Sequence, residues 1–169
     1  LTSYAVVFLT DAYGVPLRLA NFTLTGIFLV GAVAIVLGGD LTDRFAPGPV
    51  IVASFAGLTL LVGLIAARLV PALAAVGLFL LVGGVRSLSG PARDALSERL
   101  SATGAVGRSF AIITVGIMLG SAVAPPLFGV LIERSGVGVA FGAVAAVAGL
   151  ATLLTVGVVT TYADEGTTA

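Results

Sequence analysis

Five long apolar stretches constrain this chain more than anything else in it, at residues 19–39, 50–70, 71 to about 90, 108–132 and 138–161. A helix needs about 20 residues to cross a hydrocarbon core about 30 Å thick, and each stretch reaches that length. Composition identifies the solvent. With 59% hydrophobic residues, 9% charged residues and a mean hydropathy of +1.21, a water-soluble fold would carry more apolar side chains than its interior could hold. A bilayer accepts that surplus on the outer faces of helices. The fold class expected is therefore an all-α membrane protein.

The first residues, 1–9, are apolar but too short to span. Their status follows from an internal repeat. Gly39-Asp40-Leu41-Thr42-Asp43-Arg44 returns 90 positions later as Gly129-Val130-Leu131-Ile132-Glu133-Arg134, and both copies read Gly-x-Leu-x-acid-Arg. The same shift carries the apolar run near Val50 onto the one near Ala140, so the duplicated unit includes helices on both sides of the motif. By that shift the counterpart of the first segment starts near Ala72, which predicts a truncated first helix. Six passes in two sets of three follow, residues 1–70 and 71–162, with a polar tail at 163–169. Three is odd, so the second set enters the bilayer in the opposite sense and the repeats are inverted.

Other functions are narrowed by what is missing. The sequence has no cysteine and no histidine, which removes thiol nucleophiles, disulfides, imidazole bases and the usual zinc or haem ligands, and no cofactor is expected. A formal charge of zero argues against a nucleic-acid partner. Arginines divide almost evenly between the two sets of loops, too narrow a margin to orient the chain.

The motif residues resemble those of the major facilitator superfamily of secondary transporters, whose halves are each six helices built from two inverted three-helix repeats. Gly39-x-Leu41-x-Asp43-Arg44 is similar to the signature between the second and third helices of a half, although Phe45-Ala46-Pro47-Gly48 stands where basic residues normally follow. Arg86-x-x-x-Gly90 resembles the shorter signature on the fourth helix. Gly116-x-x-x-Gly120-x-x-x-Ala124-Pro125-x-x-Phe128-Gly129 resembles the fifth-helix signature of the antiporter branch, with Ala124 and Phe128 in place of glycines. The degenerate first motif and the polar tail suit a C-terminal half; the Ala-Pro-Pro stretch resembles drug-efflux members of the fosmidomycin-resistance type. The implied partners are a small-molecule substrate, the lipid bilayer and the other six-helix half, in a multi-pass protein of the cell membrane.

Candidate residues fall into three groups. Asp43 or Arg44, near Gly39 on the loop after the second helix, could pair with Arg93, Asp94, Glu98 or Arg99 after the fourth and act as a latch that breaks when helices part. The plainer reading is a solvated headgroup-zone pair worth about 0 to 1 kcal/mol. Arg86 is the one basic side chain inside a span, expected about one turn from its end, where it either binds an anionic group or snorkels to the interface. By resemblance, Ser3, Tyr4, Phe8, Phe79, Arg86 and Ser87 face the central cavity, with Thr25, Thr114 and Met118 on neighbouring helices, while the third and sixth helices face lipid. Finally, Gly116, Gly120 and Ala124 form a groove of small residues, and Pro125 and Pro126 remove two amide donors and predict a kink before Gly129. That kink reads either as static packing or as a pivot. If a proton-carrying acid lies in this chain, it is Asp11.

The resemblance implies transport of a small solute by alternating access, with no enzymatic activity. Two other readings stay open. A non-transporting scaffold or assembly module would show no concave polar face, and an intramembrane enzyme would show a closed pocket with paired acids.

Overall fold

The computed structural model describes residues 4–101 and 105–165. Among them all regular structure is helical: α1 (Ala5–Tyr13), α2 (Leu17–Arg44), α3 (Pro47–Ala66), α4 (Ala72–Leu100), α5 (Val106–Ser135) and α6 (Val137–Glu165). The five helices after α1 are each long and apolar enough to cross a membrane. Helix is what a bilayer enforces, because backbone amides and carbonyls left unpaired in lipid cost several kcal/mol each.

Several boundaries differ from expectation. α2 runs on to Arg44, so residues 40–44 of the motif form its last turn and not a loop; the Asp40 and Arg44 side chains pair one turn apart, 2.8 Å, across that turn. Only Phe45 and Ala46 separate it from α3. Pro47, Gly48 and Pro49, just ahead of the stretch expected to start at residue 50, open α3, where the first amides have no helical partner and proline loses nothing. α4 passes through Pro91 without ending and takes in the charged residues 93–99; Ala92, fully buried, packs on Val50 and Ile51 of α3 and holds the helix on course. α5 is likewise continuous through Pro125 and Pro126. α1 reaches Tyr13, which puts Asp11 in its last turn, and α6 reaches Glu165 into the expected tail.

Cross-contacts fix helix directions. α2 and α4 run side by side and parallel, Ile27 meeting Gly83, Gly31 meeting Ser87 and Gly38 meeting Leu88. α3 and α6 are antiparallel: Gly48 touches Val159, and the Thr59 and Thr152 hydroxyls are hydrogen-bonded at 3.3 Å. At the ends of α1 and α3, the Tyr13 hydroxyl donates to the Ile65 carbonyl at 3.1 Å, and Arg68 lies against Gly138 at the start of α6. Gly39, near the end of α2, and Gly129, near the end of α5, therefore lie at opposite ends of the bundle.

Close approach of backbones holds α2 to α4. A Cβ placed on Gly83 would stand 2.7 Å from the Ile27 carbonyl oxygen, and one on Gly31 would stand 2.8 Å from Ser87 Oγ. Membrane helices gain little from hiding apolar surface from lipid, so such small-residue contacts supply the packing. The buried stripe of α2 (Ala20, Thr23, Ile27, Gly31, Ala34, Gly38, Thr42) steps by three and four residues, the period of one helical face. Buried hydroxyls on it are satisfied locally, Thr42 Oγ1 donating to the Gly38 carbonyl at 2.7 Å. A second core joins α1, α4 and α6 through the fully buried rings of Phe8 and Phe79 and the nearly buried Phe141; the Phe8 and Phe141 centroids are 4.0 Å apart.

Candidate functional site: a cleft around Arg86

A cleft of about 340 Å³ opens between α4, α5 and α6, with Tyr4 just before α1 at its rim. α5 supplies most of the wall. Ile117, Gly120, Ser121, Ala124, Pro125, Phe128 and Ile132 recur at three- and four-residue steps along one face. α6 adds Ala140, Phe141, Val144 and Val147. Arg86 is the one charged residue in the lining among the described residues, and it also borders a smaller groove against Ile27, Phe28, Gly31 and Ile35 of α2. It sits where the two hollows meet.

Neighbouring helices fix the level of Arg86 in the bundle. α4 is 29 residues long with Arg86 at its midpoint, and the uncharged stretch that follows it ends at Arg93, about 10 Å or two turns away at 1.5 Å per residue. Two neighbours agree. Gly57, halfway along the 20-residue α3, is 3.5 Å from a Val85 methyl by its Cβ position, and Gly31, halfway along α2, meets Ser87. The residues on both sides of Arg86 thus touch the midpoints of two membrane-crossing helices. The Arg86 residue is exposed, two turns from the charged end of α4. Among the described residues no carboxylate pairs with it; the ion pairs present are Arg44–Asp40 and Arg93–Asp94.

The prolines add polar character to the opposite wall. Lacking amide hydrogens, Pro125 and Pro126 leave the carbonyls of Ser121 and Ala122 without their usual helical donors. Ser121 also brings a hydroxyl to the cleft. Tyr4 donates its hydroxyl to the Pro125 carbonyl at 2.7 Å, tying the rim to α5.

Other expected site residues are placed elsewhere. Phe8 and Phe79 belong to the aromatic core behind the cleft, not to its surface: burying a ring next to other rings outweighs any gain from lining a polar hollow. Thr25 is exposed on α2 and bonds back to the Asn21 carbonyl at 3.3 Å. Met118 is 66% exposed, about 100° around α5 from Ile117, and Thr114 lies a turn beyond the lining. Ser3 lies outside the described residues. Gly120, Ala124 and Pro125 do border the cleft, whereas nothing packs against the Cβ positions of Gly116 and Gly120, so the close helix contact expected on α5 is made by α2 and α4 instead. α6, expected to face lipid, lends the cleft four residues.

The latch geometry is also absent. Arg44 turns to Asp40 and Arg93 to its neighbour Asp94, 2.8 Å in each case, and no ion pair among the described residues joins Asp43 or Arg44 to Arg93, Asp94, Glu98 or Arg99. A partner on the same turn is reached with less loss of side-chain freedom than one on another helix.

Ile117, Ser121, Phe128, Phe141 and Val144 were not anticipated. For α5 the signal was present in the stepping from Ile117 to Ile132. α6 is apolar on every side, which leaves no periodicity to mark an inward face.

The family model of the Major Facilitator Superfamily matches residues 1–168. The chain belongs to that superfamily. No curated protein and no solved structure matches it. Members of the Major Facilitator Superfamily are membrane transporters and not enzymes, so this chain is a multi-pass membrane protein of transport function.

Proposed function

We propose that this Major Facilitator Superfamily chain is one six-helix half of a secondary transporter in a cell membrane, and that it moves a small solute by alternating access. The Arg86 cleft is its share of the solute site. One observation carries this: Arg86, within a membrane-crossing helix, borders a hollow large enough for a metabolite and has no ion pair among the described residues, where a charge is costly enough to mark function. The opposite placement of Gly39 and Gly129 supports an inverted pair of three-helix units that rock as one body against a partner half. The absence of basic residues after Arg44 favours the C-terminal half, and the Ala124-Pro125-Pro126 stretch favours efflux.

The test uses the lack of cysteine in the chain. Ser121→Cys is placed in an otherwise cysteine-free full-length protein in proteoliposomes and exposed to a membrane-impermeant maleimide on one face at a time. Alternating access predicts labelling from either face. Labelling from one face only, or from neither, contradicts it and fits a scaffold.

A further inference from the structure

The cleft has a chemical bias that names its occupant. Among the described residues its lining contains one cation, Arg86, and no Asp or Glu. On this half's wall a cationic solute would meet repulsion with no acid beside it, and a neutral one would leave the guanidinium without a counter-charge. The wall facing Arg86 is apolar along Ile117, Phe128, Phe141 and Val144, with Ser121 as its polar interruption. The hollow holds about 340 Å³, at the lower end of the range typical for small-molecule sites.

From this we infer that the solute is an amphipathic organic anion, with a carboxylate or similar planar acid group on Arg86 and an apolar, ring-sized body against α5 and α6. The inference rests on the cleft being the solute site. Guanidinium suits such a group because its fork of N–H donors matches two carboxylate oxygens. Arg86 is reached from two hollows, so the acid group can settle on it while the body lies on the α5 and α6 side. Phe141 belongs both to this wall and to the packed aromatic core, so the surface that receives the body is rigid. The Ser121 carbonyl, freed by Pro125, offers an acceptor to a hydroxyl or amide on the same solute.

The experiment measures binding, which needs no transport. Full-length protein in lipid nanodiscs is titrated by calorimetry with three probes of one shape and different head groups: 4-phenylbutyrate, 4-phenylbutylamine and 4-phenylbutanol. The butyrate should bind at least about tenfold more tightly than either of the others, the margin a charge-assisted hydrogen bond supplies. Arg86→Gln should erase that preference. Arg86→Lys should keep it in weaker form, because it retains the charge without the fork, and it guards against a Gln variant that does not fold. Equal binding of all three probes, preference for the amine, butyrate binding unchanged by Arg86→Gln, or no butyrate binding would each overturn the inference. Anion-selective binding with one-sided maleimide labelling would sink alternating access alone; two-sided labelling without anion selectivity would sink the solute class alone.

Discussion

The Tyr4 hydroxyl reaches the Pro125 carbonyl, 2.7 Å away, across a site that Gly129 keeps open: a Cβ on Gly129 would stand 3.0 Å from the Tyr4 oxygen. The second copy of the repeated motif thus gives its glycine to the contact between the Tyr4 rim and α5, beside the cleft. Tyr4→Phe should lower stability by about 0.5–1.5 kcal/mol, the usual net worth of such a bond. Gly129→Ala should disturb the same contact by pushing the ring aside. Because both act on one bond, the double variant should cost less than the sum of the singles in thermal unfolding, and additivity would show that the contact contributes nothing.

Gly38 and Gly39 are neighbours with opposite prospects. A Cβ on Gly38 would lie 3.0 Å from the Leu88 carbonyl oxygen, which as backbone cannot swing away, while a Cβ on Gly39 meets nothing within 4 Å. Gly38→Ala should destabilise by about 1–3 kcal/mol through overpacking of α2 on α4. Gly39→Ala should be neutral or stabilise by about 0.5–1 kcal/mol, since alanine loses less freedom in a helix. Unfolding temperatures in one detergent decide this. If Gly39→Ala keeps the fold but loses transport, the motif glycine serves a conformation other than this one.

Asp40 and Arg44 make a weaker claim. Their side chains are 52% and 70% exposed, so water and salt screen the pair. Asp40→Asn should shift stability by no more than about 0.5 kcal/mol, the value of a surface pair one turn apart. A larger loss, measured by thermal unfolding at low and high salt, would mean that this end of α2 bears more of the fold than its contacts indicate.

The sequence announced its spanning helices because length and hydropathy alone decide them in a bilayer. It misplaced their ends where tertiary contact overrides local chemistry. Gly90-Pro91 reads as a stop, yet α4 continues because Ala92 and Leu96 pack against Val50, Ile51 and Phe55. That continuation carries α4 past Arg93 and Asp94 to Leu100. Of the site, Arg86 stood out by its charge and Tyr4 by resemblance, whereas the spacing of Gly120, Ala124 and Pro125 marked a packing groove and a kink on the helix that forms the wall. Phe79 was not: nothing in a uniformly apolar helix says whether a ring faces a hollow or fills the core behind it.

Two glycines end helices in different ways, and that difference is testable. Gly14, after α1, sits at φ 65° and ψ 22°, the left-handed region that asparagine also visits, and Arg68 already holds φ 54° in this chain. Gly136 is the single residue between α5 and α6, at φ 84° and ψ 160°. That region is closed to residues with a Cβ, and its occupation by them costs on the order of 1–3 kcal/mol. Neither position is crowded, since a Cβ at either meets nothing within 4 Å, so any loss comes from backbone strain alone. Gly14→Asn should therefore change stability by less than about 1 kcal/mol, the lower end of the left-handed penalty. Gly136→Asn should cost clearly more, and because the turn sets α6 against α5, it should also loosen the cleft walls. Thermal unfolding of the two variants side by side gives the ranking; equal losses would mean that the α5–α6 turn relaxes to another geometry when its glycine is replaced.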